Sequence, residues 1–209
     1  MTRLAWFFDY VSPYAYLQFA AHPDLMQRDD VELVPVVFAG LLKHWVHKGP
    51  AELPTKRPHT YRHTTWLAGK LGIAFRYPPG HPFVSLHALR LTIAAGSTYE
   101  AVRTVQQFIW AEGRDPAAEF RVLGARLGLA DPEAAANAPA VKDALRANGE
   151  RALAAGIFGV PTFAAGGHLF WGLDATDMLR DWLADPALFD SAEMRRISSL
   201  PVAAARRDA

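Results

Sequence analysis

"YVSPYAYL", residues 10–17, follows the apolar run Leu4-Ala5-Trp6-Phe7-Phe8 and opens a helix. Ser12 stands where an N-cap belongs, and Pro13 takes an early helical position, where its missing N–H costs nothing. Ser12-Pro13-Tyr14-Ala15 has the shape of a Cys-Pro-Tyr-Cys redox motif without its sulfurs. A helix N-terminus presents unpaired N–H groups and a partial positive charge, so it favours an anion or a thiolate. In redox proteins that thiolate is the protein's own. Here the position holds a hydroxyl, which donates a hydrogen bond but cannot exchange disulfides. Two readings follow: Ser12 is a helix cap alone, or it holds a thiol brought in by a cofactor.

Working outward, residues 4–9 read as a short buried strand and residues 31–38 as a second one. Pro23 breaks the intervening helix near His22, and strand, helix, strand in this order makes a parallel βαβ unit. Strand signals then vanish from Gly40 to Gly156. Val102, Val105 and Ile109 share one helical face, as do Phe120, Leu123 and Leu127, and a further helix through Val141, Leu145 and Ala152 stops at Gly156. Thr162 to Ala165 and His168 to Trp171 flank Gly166-Gly167 as a hairpin, and Asp174 is placed to cap a last helix with Met178, Leu179 and Trp182 on its apolar side. The order predicts an α/β thioredoxin-like fold, βαβ then ββα, with a large all-helical insertion. Residues 1–40 and 157–187 form the thioredoxin-like part and 41–156 the insertion, whose last helix can pack on the sheet. Residues 188–209 form a loosely packed or extended tail.

The chain has 209 residues, 51% hydrophobic and 21% charged, with a formal net charge of +1. That balance, with basic residues scattered along the chain, gives no reason to expect nucleic acid or an anionic membrane as partner. No cysteine occurs, which excludes disulfide scaffolds, thiolate metal sites and self-contained dithiol chemistry. Met1-Thr2-Arg3-Leu4 leads into the first strand without the apolar stretch of a signal peptide, and no apolar run approaches the ~20 residues of a membrane span. A cytoplasmic protein is expected.

Val160-Pro161-Thr162 enters the third strand. A proline there is commonly an edge device; if its peptide is cis, the preceding backbone can pair with an extended ligand. With this element the chain resembles the 2-hydroxychromene-2-carboxylate isomerase family, the glutathione-dependent branch of the DsbA-like thioredoxin superfamily that also contains kappa-class glutathione transferases. The matching stretches are FFDYVSPYAYL (7–17), PTKRPHTYR (54–62), HPFVSLHALRL (81–91), WAEGRD (110–115), GIFGVPTF (156–163) and LFWGLD (169–174). The resemblance implies reduced glutathione bound along the edge near Pro161. Ser12 would hold the thiolate, the Val160 backbone the cysteinyl part, Lys56 a carboxylate and Asp174 the γ-glutamyl ammonium. Without the resemblance, Lys56 reads as a solvated lysine and Asp174 as a helix cap.

The chain departs from the family pattern at three places. His47 and Val84 stand where asparagine is common, and Leu173 where a polar residue is frequent; histidine can replace an amide donor, whereas valine cannot. Tyr10 and Tyr14 flank Ser12 as candidates to line the substrate pocket, and Arg90 is a candidate for the substrate carboxylate. His59 and His63, four apart, can share a helix face near His44 and His47, but no carboxylate completes a helical zinc motif, so no metal is assigned. Arg57, Tyr61 and Arg62 read as a polar cleft lining. The resemblance implies a glutathione-dependent isomerase acting on a bicyclic aromatic hydroxy-acid, working as a homodimer. A kappa-like transferase or peroxidase, and a noncatalytic thioredoxin-like binding module, are the alternatives.

Overall fold

The computed structural model describes residues 3–204. The first unit is β1 (Leu4–Phe8), α1 (Pro13–Ala21), the short α2 (Pro23–Met26) and β2 (Val31–Pro35). Then come α3 (Phe38–His44), α4 (Lys56–Leu71), α5 (Leu86–Ala94) and α6 (Tyr99–Gln106), the last running into a π-helical turn, Gln107–Ala111. Next are α7 (Phe120–Arg126), α8 (Pro132–Asn137) and α9 (Pro139–Ala154), the hairpin β3 (Thr162–Ala165) and β4 (His168–Trp171), and finally α10 (Thr176–Ala184) and α11 (Ala192–Ser198). The sheet order is β2-β1-β3-β4, with β2 parallel to β1 and the other pairs antiparallel. This is the α/β thioredoxin-like arrangement with helices inserted between β2 and β3.

The unbroken apolar run of β1 has a simple cause: the strand is central and covered on both faces. Leu4, Trp6 and Phe8 join Leu17, Phe19, Phe163 and Phe170 on one side, while Ala5 and Phe7 meet Val34, Val36, Leu41, Ala152 and Ile157 on the other. Ala152 belongs to α9, so the helix just before the hairpin covers the second face. Trp6 stacks on Phe8 at 4.5 Å, and its Nε1 donates to the buried Gln18 Oε1 at 2.7 Å. Gln18 Nε2 in turn donates to the Gly172 carbonyl at 3.0 Å and to Thr176 Oγ1 at 2.9 Å. One fully buried amide thus ties β1, α1 and the start of α10 together.

Three local expectations are corrected. The second strand stops at Pro35 and not at Phe38: proline has no N–H for a further ladder bond, and after one last bond from Val36 N to Phe8 O (2.9 Å) the chain enters α3. Asp174 does not cap the last helix. It lies within a 3₁₀ turn, Leu173–Ala175, its carboxylate folded so tightly beside Gly172 (φ 92°) that a Cβ there would clash with Oδ1. α10 begins without a side-chain cap, and the Thr176 hydroxyl donates to Leu173 O at 2.7 Å. The tail is not extended throughout. Leu188 and Phe189 pack against the core, Phe189 lies 4.8 Å from the His168 ring, and Ser191 caps α11 through the Met194 N–H. Its last residues, from 205 on, lie outside the described residues.

Candidate active site

Ser12 is the N-cap of α1: its Oγ accepts the Ala15 N–H at 3.3 Å, and its own N–H is held by the Asp9 carbonyl at 3.1 Å. The hydroxyl lies 3.4 Å from the carbonyl of Val160, a long hydrogen bond that it can give up for a better partner. The Val160–Pro161 peptide is cis. Val160 precedes β3 and has no backbone partner for its N–H or C=O among the described residues, while Gly172 N donates to Pro161 O at 2.9 Å. A hydroxyl, a helix N-terminus and an unpaired backbone segment from the far end of the chain therefore converge. The arrangement suits an extended ligand carrying an anionic atom at Ser12.

The loop that delivers Ser12 is built on Asp9, which the sequence reading left without a role. Its carboxylate is almost fully buried and accepts from Val11 N (3.1 Å) and from Phe38 N (2.8 Å), the latter at the start of α3. Burial raises its pKa above the ordinary 3.8; the Ser85 hydroxyl and the N–H groups of Phe38, Val11 and Tyr10 pull the other way. A carboxyl with a raised folded pKa binds its proton more tightly when folded. Its contribution is therefore complete at low pH and shrinks as pH rises through the window above about 4. The stability of the wild type relative to Asp9→Asn is expected to fall as the pH rises above about 4 in urea titrations. A flat or rising difference would mean that Asp9 is ionised throughout.

His81 completes the support. Its Nε2 lies 2.8 Å from Val11 O and its Nδ1 2.9 Å from the Tyr61 hydroxyl, which also lies 2.6 Å from His81 O. Because Val11 O only accepts, Nε2 carries the proton. Burial holds the pKa of His81 down, against the Val11 carbonyl and together with the Arg57 charge. Tyr10, expected in the substrate pocket, is instead fully buried, its hydroxyl 2.7 Å from Thr92 Oγ1. The chain dips into the core before it turns into α1, which carries this side chain into the interior.

Tyr14, by contrast, stays at the surface side of α1. It is half-buried, with its hydroxyl 2.9 Å from His63 Nδ1 on α4. His63 stacks on His59 at 6.1 Å, so the two share the expected face. No group of three His, Cys, Asp or Glu side chains placed to hold a metal ion occurs among the described residues. Lys56 is exposed at the first turn of α4, about 10 Å along the helix from His63 and on the same face. His47 is exposed, its ring Nδ1 3.5 Å from the Lys48 carbonyl; nearby Trp45 donates to Ile157 O at 2.9 Å, close in sequence to Val160. Val84 is exposed. Arg90 lies on α5 with a buried, unpartnered Nε, and no hydrogen bond or ion pair among the described residues joins it to the Ser12 surroundings.

One signal in the sequence was passed over. Between Glu52 and Glu100 there is no Asp or Glu, yet Lys56, Arg57, Arg62, Lys70, Arg76 and Arg90 occur. None of these six cations is in an ion pair among the described residues. The basic residues are therefore not evenly compensated along the chain, as the net charge of +1 suggests. They are left free on the segment that includes α4, beside the start of α1.

Residues 3–184 match the family model of the DsbA-like thioredoxin domain. The chain belongs to this family. Over 205 residues it is 25% identical to glutathione S-transferase kappa 2 of Caenorhabditis elegans, a match covering 86% of this chain and 91% of that protein. Over 196 residues it is 26% identical to 2-hydroxychromene-2-carboxylate isomerase of Sphingobium xenophagum, covering 88% of this chain and 100% of that one. A solved selenomethionine structure of a 2-hydroxychromene-2-carboxylate isomerase has the same fold, with a TM-score of 0.77 at 21% identity over 91% of this chain and 98% of that chain. Within the DsbA-like family this chain carries Ser12 and Ala15 at the start of α1 and no thiol anywhere. No helix among the described residues is long and apolar enough to cross a membrane.

Proposed function

We propose that the chain is a glutathione-dependent isomerase interconverting 2-hydroxychromene-2-carboxylate and trans-o-hydroxybenzylidenepyruvate, or acting on a related bicyclic aromatic hydroxy-acid. The observation that carries this reading is the Ser12 hydroxyl, at a helix N-terminus, beside a Val160 peptide without backbone partners among the described residues, in a chain without cysteine. The residues present fit glutathione: Val160 offers an N–H and a C=O to a peptide-like segment, and Ser12 a donor to sulfur. Lys56 supplies a cation for a carboxylate, Asp174 an anion for the ammonium, and His47 takes the place of an amide donor. When bound, glutathione supplies the nucleophilic sulfur that the chain lacks. The acid-free segment from Leu53 to Tyr99 favours an anionic second substrate, in keeping with a carboxylate on the aromatic compound.

A kappa-like transferase is the second reading, favoured by the similarity to the Caenorhabditis elegans protein. The two differ in whether glutathione is returned or consumed. Calorimetric titration of the chain with reduced glutathione is expected to give a Kd in the micromolar to low-millimolar range. Hydroxychromene-carboxylate isomerisation with no loss of glutathione then supports the isomerase, and stoichiometric loss the transferase. Absence of binding to the folded chain overturns both.

A further inference from the structure

We infer that His81 is a proton-controlled positioning residue: as an imidazolium it bridges the Val11 carbonyl, next to Ser12, and the Tyr61 hydroxyl on α4, and as a neutral ring it leaves one contact of the set unmade. Three contacts meet here, and their hydrogens can be counted. Nε2 lies 2.8 Å from Val11 O, Nδ1 lies 2.9 Å from the Tyr61 hydroxyl, and that hydroxyl lies 2.6 Å from His81 O. Both carbonyls only accept, so one hydrogen comes from Nε2 and one from the phenol. Burial keeps the Tyr61 phenol protonated, against the charge of Arg57. With the phenolic hydrogen on the shorter contact, to His81 O, the phenol turns lone pairs towards Nδ1, and Nδ1 must carry a hydrogen too. A neutral imidazole and a phenol supply two hydrogens for three contacts; the imidazolium supplies the third.

The surroundings set where that proton is taken up. From α4 the ring meets Tyr61 and the charge of Arg57; from its own segment Tyr77 at 5.4 Å and Phe83 at 6.1 Å; from the π-helical turn Trp110 at 5.7 Å; and from the loop before α1 the Val11 carbonyl. Asp9 joins this network only through the Val11 N–H, at 3.1 Å, and no carboxylate is bonded to the ring itself among the described residues. Burial holds the midpoint below the ordinary 6.5, the Val11 carbonyl pulls it up, and Arg57 pushes it down. At neutral pH the set is therefore one hydrogen short, with Nδ1 and His81 O competing for the phenol. Acidification puts a hydrogen on Nδ1 and closes the bridge. Its two ends are the residue before Ser12 and the helix that carries Lys56 and His63, so the closed form fixes the Ser12 turn against α4.

Resting on the glutathione reading above, the closed form is the faster one, and two measurements on the full chain separate the bridge from that reading. By NMR, the His81 ring resonance, identified by its absence from His81→Gln, is expected to titrate with a midpoint about one pH unit lower in Tyr61→Phe than in the wild type, because the imidazolium loses the acceptor of its second N–H. In hydroxychromene-carboxylate isomerisation at saturating glutathione, turnover of the wild type relative to Tyr61→Phe should rise about three- to tenfold from about pH 8 to about pH 5.5. The ratio removes the titration of the glutathione thiol, which both proteins share. His81→Gln keeps a donor for Val11 O and takes up no proton, so its ratio to Tyr61→Phe should stay flat. An unchanged midpoint in Tyr61→Phe overturns the bridge. A shifted midpoint with a flat wild-type ratio overturns the positioning role and leaves the glutathione site standing. A wild type without turnover overturns the functional reading, and the midpoints alone then decide the bridge. If Tyr61→Phe does not fold, the wild type carries the test: below its midpoint the Nδ1–H should appear as a slowly exchanging ring proton, and its absence overturns the bridge.

Discussion

Ser12→Ala is expected, on the proposed isomerase reading, to lower turnover at saturating glutathione by about two to three orders of magnitude, the effect of removing one donor aimed at a developing or resting anion in an enzyme site. Its effect on folding should be far smaller. The hydroxyl caps α1 through Ala15 N–H, and loss of an N-cap costs about 1 kcal/mol. The contact to Val160 O, at 3.4 Å, is too long to add much. The same geometry leaves the donor hydrogen available to a sulfur placed between the helix start and Val160. Glutathione affinity should fall only modestly, because the peptide-like pairing with Val160 and the charged ends are untouched. Turnover, calorimetric affinity and urea stability measured on one preparation separate these contributions. A turnover loss no greater than the stability loss predicts would leave Ser12 as a helix cap and nothing more.

What the sequence shows well is local. The β1 run, the Ser12-Pro13 helix start and the Gly166-Gly167 hairpin are legible because strand periodicity, capping chemistry and turn glycines act over a few residues. Ser12 and Val160, 148 residues apart, could be joined only through the resemblance, since no pattern within either stretch points at the other. Tyr10 illustrates the limit. An aromatic beside a candidate catalytic residue reads as pocket lining, and only its bond to Thr92, 82 residues on, shows it to be core. Asp9 and His81 were missed for the same reason, as their partners sit on α3, α4 and the loop before Ser12. Asp174 was read as a cap because Asp before a helix usually is one; the 3₁₀ turn that displaces it depends on Gly172 at φ 92°. The acid-free segment, by contrast, was open to simple counting along the chain.

The second large effect concerns Trp110, in the π-helical turn after α6. It is fully buried, and its Nε1 donates to the Tyr10 carbonyl at 2.9 Å, two residues before Ser12. Its ring stacks on Phe75 at 5.5 Å and meets Tyr77, His81 and Phe83 at 5.3, 5.7 and 6.2 Å. The backbone carbonyl of Trp110 also accepts Arg76 N–H at 2.6 Å, so side chain and main chain both fasten the 75–83 segment. Trp110→Ala opens a large cavity and strands a buried carbonyl, and is expected to cost about 3–5 kcal/mol in urea denaturation. Trp110→Phe keeps most of the packing and loses the hydrogen bond, so it should cost about 1–2 kcal/mol. The functional consequence separates this residue from ordinary core. Trp110 touches both the Tyr10 carbonyl and His81, which holds Val11 O, so even the milder variant should loosen the turn that presents Ser12. Trp110→Phe is therefore expected to lower turnover about tenfold at temperatures where it is fully folded. Unchanged turnover with the stability loss intact would show that Asp9 and His81 hold the loop without the Trp110 hydrogen bond.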